Sequence, residues 1–275
     1  MRCADGGRLL LACGLLAASV GEVCGGPLQE AVFTELGGKV WVLDQGRAQR
    51  SAVLRARVGG ESSVKTGQRS RAEMEFSDRS LVRLGSSAIF ALRPGTREMR
   101  LDEGAMLLHV PKGVGGTTSV RTAAATAAIT GTTVILSATK AGGFRLVVLE
   151  GTAEVRYVDG RHVRCRAGDM TMTQGGDAGS AGATQVHLEG LVASSGLLGG
   201  FKRALPSMSL VEAAVERQSG LLASGDIRET GQTVGATTLE PLGDRDRIRL
   251  IHREPKVEPL RDLRDTRPNN YKTVP

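Results

Sequence analysis

The sequence has 275 residues, which is enough for one substantial hydrophobic core or two modest ones. Hydrophobic residues make up 40% of the chain, as in globular proteins, whereas aromatic residues make up only 3% and glycines number 37. The formal net charge of +7 favours anionic partners, but so few aromatic rings argue against a protein that stacks on nucleic-acid bases.

The N-terminus has the pattern of an export signal. Arg2 and Arg8 precede an apolar run over residues 9–20, which is too short to cross a bilayer. We predict a signal peptide over residues 1–21, although a buried N-terminal helix is the competing interpretation. No later run is apolar enough to span a membrane, so we expect an exported protein, periplasmic or associated with the cell envelope, without a transmembrane segment after signal removal.

Cysteine and histidine usage indicates no metal site. Cys24 and Cys165 remain after signal removal, and they either form a disulfide or stay as free thiols. A lipid anchor at Cys24 fits poorly, because the three residues before it lack the usual Leu and small residue. The four histidines are scattered without ligand spacing, and we expect neither a metal nor another cofactor.

Short alternating segments separated by glycine turns predict a β protein. Alternation in Arg71–Phe76 places Ala72, Met74 and Phe76 on one face and three charged residues on the other. Further predicted strands cover Lys39–Leu43, Ala52–Val58, Leu81–Leu84, Ala88–Leu92, Met99–Leu101, Met106–Val110, Phe144–Val148 and Ala153–Tyr157. Leu81–Leu84 and Ala88–Leu92 are apolar enough to be covered on both faces. Asp159-Gly160 is the strongest hairpin signal.

The run of threonines and alanines from Thr122 to Thr133 is ambiguous. Alanine favours a helix, but no Leu, Glu or Lys is present to line a helix face. Threonines at 122, 126 and 130 alternate with other small residues, so we predict a strand.

Two parts of the central region have similar sequences. Ser63-Val64-Lys65-Thr66 is repeated as Ser119-Val120-Arg121-Thr122, and a Glu-Gly pair occurs at 103–104 and again at 150–151. Two related units predict stacked strand layers, as in a β-roll or short solenoid, although chance similarity of short strand motifs stays an alternative.

An ordered set of short motifs between residues 66 and 151 resembles the FecR-like domain family. The motifs are Thr66-Gly67, Ser70–Phe76, Asp78-Arg79-Ser80, Leu81–Leu84, Glu103-Gly104, Val120-Arg121-Thr122, Gly131-Thr132 and Glu150-Gly151. The chain departs from the family pattern at Arg79, where Gly is usual, and at Thr133, where a Phe is common nearby.

The resemblance implies an extracytoplasmic binding or sensing module. It implies an all-β fold, a short-stranded β-roll, solenoid-like or sandwich-like domain, here with a small helical C-terminal extension. The best-known family members regulate sigma factors through a cytoplasmic helical domain and a transmembrane helix, and neither is expected here. The structural motif residues are Asp78, Ser80, Glu103, Gly104, Val120, Thr122, Gly131, Thr132, Glu150 and Gly151.

The domain organisation follows from these segments. After the signal peptide we predict N-terminal strands over 22–58, the FecR-like domain over 59–174, a linker over 175–190, a short helical extension over 191–242 and a charged, proline-containing tail over 243–275. Ser209 and Glu212 form a candidate capping box for a helix ending near Gly220.

No paired catalytic groups emerge from the sequence. Asp102 and Glu103 are adjacent, so on a strand they point to opposite faces. We therefore predict a non-enzymatic module that binds an envelope protein or an anionic envelope glycan, with no nucleic-acid partner and no catalytic, cofactor-binding or metal residues. The alternative is an envelope glycan-binding or hydrolase-associated domain.

Overall fold

The computed structural model describes residues 26–174, 182–234 and 248–253. The predicted signal peptide, Cys24 and most of the predicted tail lie outside the described residues. The strands, in chain order, are β1 (Glu30–Gly37), β2 (Val40–Leu43), β3 (Arg50–Ser51), β4 (Arg57–Gly59), β5 (Ser63–Thr66), β6 (Arg71–Phe76), β7 (Leu81–Leu84), β8 (Ile89–Leu92), β9 (Glu98–His109), β10 (Thr118–Arg121), β11 (Ala125–Ile129), β12 (Thr133–Ala138), β13 (Phe144–Glu150), β14 (Thr152–Tyr157), β15 (His162–Arg166), β16 (Asp169–Thr173), β17 (Thr184–Val186), β18 (Ile227–Val234) and β19 (Ile248–Arg253). The helices are α1 (Leu188–Ser194), α2 (Gly196–Gly199) and α3 (Met208–Ala223).

These strands form two sheets. Sheet 1 has the order β4-β1-β6-β7-β9-β12-β13-β16-β17-β19-β18 and is antiparallel throughout. Sheet 2 has the order β3-β2-β5-β8-β9-β10-β11-β14-β15, in which β9 and β10 run parallel and the other neighbours antiparallel. The predicted fold class, all-β with a small helical C-terminal extension, is confirmed.

Strand β9 belongs to both sheets. Its first half pairs with β8 and β10 in sheet 2, and its second half pairs with β7 and β12 in sheet 1. Gly104 lies at the crossing with φ +93°, and a Cβ there would lie 2.4 Å from the Cα of Ala88. Only glycine fits this backbone and this close approach. The expected break at Glu103-Gly104 is therefore a bend inside one continuous strand, which joins the two predicted strands at 99–101 and 106–110.

The second Glu-Gly pair marks a crossing in the opposite direction. β13 lies in sheet 1, and β14 continues from it into sheet 2 with Gly151, φ +84°, between them. The chain thus passes from sheet 2 to sheet 1 at Gly104. It then forms β10 and β11 in sheet 2 and β12 and β13 in sheet 1, and it enters sheet 2 again at Gly151. The layered architecture predicted from the repeated motifs is present, but the two Glu-Gly pairs are not equivalent positions in the two halves.

Alternation along the strands creates two hydrophobic cores. In β9, Met106 and Leu108 point into a core between the sheets, whereas Leu107 points to the other side of sheet 1. Leu107 packs there with residues of all three helices, among them Leu191 and Val211. The described molecule therefore has three layers, sheet 2, sheet 1 and the helices, because sheet 1 buries apolar side chains on both faces.

Two uncertain predictions are now decided. The Thr/Ala run forms strand β11 over Ala125–Ile129, so the choice of strand over helix is confirmed. Ala52–Val58 is not one strand, because the chain turns at Leu54 and Arg55 and leaves only Arg57–Gly59 in a ladder. Its alternation is misleading, since Val53 and Leu54 are both exposed.

The C-terminal part contains more regular structure than predicted. β17 and the start of α1 fall within the predicted linker, and β18 follows the helices. β19 lies in the predicted tail and pairs with β17 and with β18. Helix α3 begins after Ser207 rather than Ser209 and ends at Ala223. No helix of the described residues is long and apolar enough to cross a bilayer.

Candidate functional site

The outer face of sheet 2 carries a line of basic side chains. Strand register places Arg100, Arg121, Thr126, Arg156 and His162 beside one another on five successive strands. Neighbouring strands lie about 4.8 Å apart, so this line extends about 19 Å across the sheet. All of its members except the half-buried Thr126 are exposed. We call this surface the open face, because the described helices pack on sheet 1 instead.

A shallow groove crosses the same surface. It has a volume of about 830 Å³, and its lining includes the half-buried Ser63 and Ala91 together with basic and acidic side chains, among them Arg100 and Asp102. Thr122 of the Val-x-Thr motif also lines it. The groove is open and shallow, which suits an extended polymer or a protein surface better than a small ligand, since small-molecule sites enclose most of their ligand.

Carboxylates neutralise part of the open face. Arg100 pairs with Asp102 at 2.9 Å, and Glu98 accepts from Arg121 at 3.4 Å. Arg156 differs from these two arginines, because no described carboxylate lies within ion-pair distance of it and its side chain is exposed. Arg156 is therefore the cation of this line that is most available to an anionic partner.

The predicted motif residues do not gather at this face. They shape the backbone at separate places, beginning with the turn after β6. The backbone N–H and hydroxyl of Ser80 both donate to Asp78, whose carboxylate also accepts from Arg97 at 2.6 Å. Arg79 in this turn has φ +65°, a conformation that glycine adopts without strain. The geometry therefore explains why Gly is usual at this position in the family pattern.

Thr132, between β11 and β12, is hydrogen-bonded to the start of β14. Its hydroxyl lies 2.8 Å from the carbonyl oxygens of Thr130 and Thr152 and accepts from the Thr152 N–H. A Cβ at Gly151 would lie 2.7 Å from this hydroxyl, so the missing side chain of Gly151 leaves the space that Thr132 fills. Thr132 thus holds the sheet crossing at Gly151.

The remaining motif residues also have local contacts. Thr122 accepts from the N–H groups of Ala124 and Ala125 and so closes a turn, and Val120 lies in the core. Glu103 pairs with Lys140 at 3.2 Å, beside the groove. In the described structure these motif side chains build turns and packing, and only Thr122 reaches the candidate surface.

A comparison with protein families identifies the central region. Residues 62–154 match the family described as FecR protein. This segment is a FecR domain. The match begins one residue before β5 and ends within β14, and it contains the sheet crossings at Gly104 and Gly151. No curated protein matches the chain.

Two solved structures are similar to parts of this chain. Both are crystal structures of a "putative anti-sigma factor" from Parabacteroides distasonis ATCC 8503. One, at 14% identity and a TM-score of 0.40, is matched over 45% of this chain and 59% of its own; the other, at 12% identity and a TM-score of 0.42, over 62% and 94%. The chain thus covers less than two thirds of the first of these structures.

The FecR domain is completed by strands outside the matched segment. β1 pairs with β6, and β15 pairs with β14, so each sheet extends past the domain boundaries. The helices then cover the outer face of sheet 1. Besides apolar packing, charged side chains of β6 and β7 hold these helices on sheet 1.

Glu73 and Arg83 form a buried ion pair under the helices. Their exposed side-chain fractions are 1% and 0%, and Arg83 Nε donates to Glu73 at 2.8 Å. Arg83 also donates to the carbonyl oxygens of Leu197, Leu198 and Arg203, and its guanidinium lies 4.6 Å from the centroid of the Phe201 ring. A buried guanidinium needs such a set of acceptors. The pair therefore fixes the α2–α3 segment on the FecR domain.

Further acidic side chains hold the same segment. Glu75 accepts from the side chain of Arg203 at 2.7 Å, and Glu35 accepts from the backbone N–H of Lys202 at 2.8 Å. We call Glu35, Glu73, Glu75 and Arg83 the docking network. The polar face of β6, predicted from alternation, is thus an internal contact surface.

A second buried polar group lies beneath the start of α3. The Thr133 hydroxyl donates to Glu150 and is 2.7 Å from Ser207 and 3.0 Å from His109 Nδ1. Burial lowers the pKa of His109 to about 4, so it is neutral at pH 7. Serine, histidine and carboxylate thus meet, but all are buried and the threonine occupies their centre. The family commonly has a Phe near position 133, whereas here Thr133 is hydrogen-bonded to the buried Glu150, Ser207 and His109.

Cys165 lies in the core between the sheets. It is fully buried, and burial raises the pKa of its thiol to about 12, with Asp169 adding to the shift. Cys24 lies outside the described residues, so a Cys24–Cys165 disulfide stays a prediction.

Sequence patterns missed most of the candidate surface. The line on the open face joins residues from β9 to β15 through strand register, and no spacing in the sequence brings them together. The alternation of exposed Glu154 and Arg156 with buried Val155 was the available signal, because it shows that one face of β14 is solvent-exposed.

Proposed function

We propose that the protein is an exported, non-enzymatic module for binding or signal sensing, located in the periplasm or at the cell envelope. Support comes from the FecR domain at residues 62–154, whose family points to signalling and sensing. The N-terminal pattern of Arg2, Arg8 and the apolar run over residues 9–20 supports export.

The observation that carries the binding proposal is the difference between the two outer faces. Helices cover the outer face of sheet 1, including its buried Glu73–Arg83 ion pair, whereas the open face of sheet 2 presents Arg121 and Arg156 to solvent. Charged groups on a flat exposed surface act chiefly through electrostatic complementarity. The proposed partner is acidic, with an acidic protein first, because arginine forks bind carboxylates in bidentate geometry.

The second candidate is an envelope glycan-binding or hydrolase-associated domain. The groove favours it, since its volume of about 830 Å³ accommodates several sugar units. Aromatic platforms for sugar rings are missing from its lining, which consists of aliphatic, polar and charged side chains. We therefore rank an acidic protein partner above a glycan.

Binding of the exported protein to envelope fractions across a salt series tests the proposal. Exposed charges are screened as ionic strength rises, so the captured amount should fall. Arg121→Gln and Arg156→Gln should each weaken binding by roughly two- to fivefold. Arg217→Gln is the matched control, because it removes the same charge from the exposed side of α3, away from the open face.

A broad hydrolase screen run beside the binding assay tests the non-enzymatic part. Robust turnover that disappears on changing one carboxylate or histidine would overturn that part in favour of an enzyme. If the captured amount changes neither with salt concentration nor with Arg121→Gln or Arg156→Gln, the open face is not the binding surface.

A further inference from the structure

An apolar turn projects from the edge of the molecule where the two sheets meet. Val53 and Leu54 lie between β3 of sheet 2 and β4 of sheet 1, and their exposed fractions are 61% and 52%. Among the described residues, four large hydrophobic side chains are exposed, and these are the two that are adjacent. We call Val53 and Leu54 the apolar tip.

The backbone holds the apolar tip in a defined position. Ala52 donates to the carbonyl of Val40, and Arg55 donates to the carbonyl of Phe33, so both sheets anchor the turn. Arg55 has φ +65°, which is unfavourable for a residue with a side chain. Such conformations persist where the surroundings determine them and are common at binding sites. The exposure of the tip is therefore a property of the folded molecule.

The segment that contains the tip is rich in arginine, and acidic residues directly flank it at Asp44 and Glu61. Residues 45–60 contain four arginines and no Asp or Glu. Arg50 is paired with Asp44 and Arg57 with Glu30, both carboxylates from outside the segment. The other two, Arg47 and Arg55, are exposed and have no ion pair with a described carboxylate. Arg55 is thus a cation without an ion pair directly after the apolar tip in the chain, whereas Arg47 lies in the connection before β3.

We propose that the apolar tip inserts into the surface of a membrane that contains anionic lipids. Val53 and Leu54 would enter the boundary between head groups and acyl chains, and Arg55 would contact lipid phosphates. An exposed apolar pair next to an arginine without an ion pair fits such a surface, because a bilayer with anionic lipids supplies both apolar and anionic groups. This surface is separate from the open face, so the inference does not depend on the acidic partner proposed above.

Vesicle flotation of the exported protein tests the proposal. We expect binding to vesicles of equal parts phosphatidylglycerol and phosphatidylcholine, and much weaker binding to phosphatidylcholine alone. The double variant Val53→Ser, Leu54→Ser should lose about tenfold in partitioning, since two half-exposed apolar side chains no longer insert. Val158→Ser is the matched control, because Val158 is 80% exposed but lies in the β14–β15 turn beside Asp159.

A second readout separates insertion from attraction by the open face. Leu54→Trp places a reporter in the tip, and brominated phosphatidylglycerol should quench its emission. Trp41, the native tryptophan, supplies the background in the unsubstituted protein. All variants carry the same N-terminus, so the comparison isolates the effect of the substituted positions.

Three outcomes would overturn the proposal. The first is an equal change in vesicle binding for the double serine variant and for Val158→Ser. The second is emission from position 54 that brominated lipid leaves unquenched although the protein is bound. The third is absence of vesicle binding together with photocrosslinking of position 54 to an envelope protein, which would assign the tip to a protein partner.

Discussion

The substitution Arg83→Met tests the docking network most directly. Removing one partner of a buried ion pair costs about 3–5 kcal/mol of unfolding free energy, because the other charge is left uncompensated. Glu73 would keep the Thr34 hydroxyl at 2.7 Å and Arg203 at 3.4 Å, which lowers the cost. The carbonyls of Leu197 and Leu198 would lose their donor, which raises it. We therefore expect a loss of about 3 kcal/mol.

Urea unfolding measures this loss, and a double-mutant cycle isolates the pair. Glu73→Leu combined with Arg83→Met should cost clearly less than the sum of the single changes, since no uncompensated charge stays buried. Limited proteolysis should show faster cleavage between Gly200 and Ser207 in Arg83→Met. A loss below about 1 kcal/mol, or additive single costs, would refute the role assigned to the pair.

Three other predictions concern different parts of the chain. N-terminal sequencing of the exported protein should start between Glu22 and Pro27, and an intact N-terminus would contradict export by this signal. Gly131→Val should destabilise by more than about 1 kcal/mol, because φ is +58° there, while Thr132→Val should cost less; equal melting temperatures for Gly131→Val and the parent protein would contradict the packing argument. The free energy of unfolding should not depend on His109 above pH 6.5, and it should fall by up to roughly 3 kcal/mol as the pH decreases towards 4, because the unfolded chain binds the proton at a higher pH than the folded one. His109→Gln should make the free energy of unfolding less dependent on pH in this range, and an unchanged dependence would exclude the buried neutral histidine.

Alternation in the sequence predicted which residues of β6 share a face, because strand side chains alternate with a period of two. It could not predict what covers the charged face. The carbonyl of Leu197, which Arg83 contacts, is 114 residues away, and no local pattern encodes that contact. Charged residues are mostly exposed in proteins, so a buried Glu73 is the exception that sequence patterns miss.

The sheet crossings were only partly predictable. The Glu-Gly pairs are visible in the sequence, but a glycine with positive φ serves a hairpin or a bend within a strand equally well. The space beside Gly104 is decided by Ala88, a residue brought there by pairing of β8 with β9. At Ala52–Val58, by contrast, alternation of apolar residues indicated a strand although the chain turns there. The two exposed residues next to that turn, Val53 and Leu54, form the apolar tip.

The crossing at Gly104 also constrains how the length of this protein can change. Because β9 is in register with two strands on each side of the bend, adding or deleting one residue between Glu98 and His109 would reverse inward and outward positions in one sheet while leaving the other unchanged. Insertions are instead tolerated in connections outside the ladders, such as residues 111–117 between β9 and β10. Chains that diverge from this one should therefore keep twelve residues in β9 and differ in length at that connection.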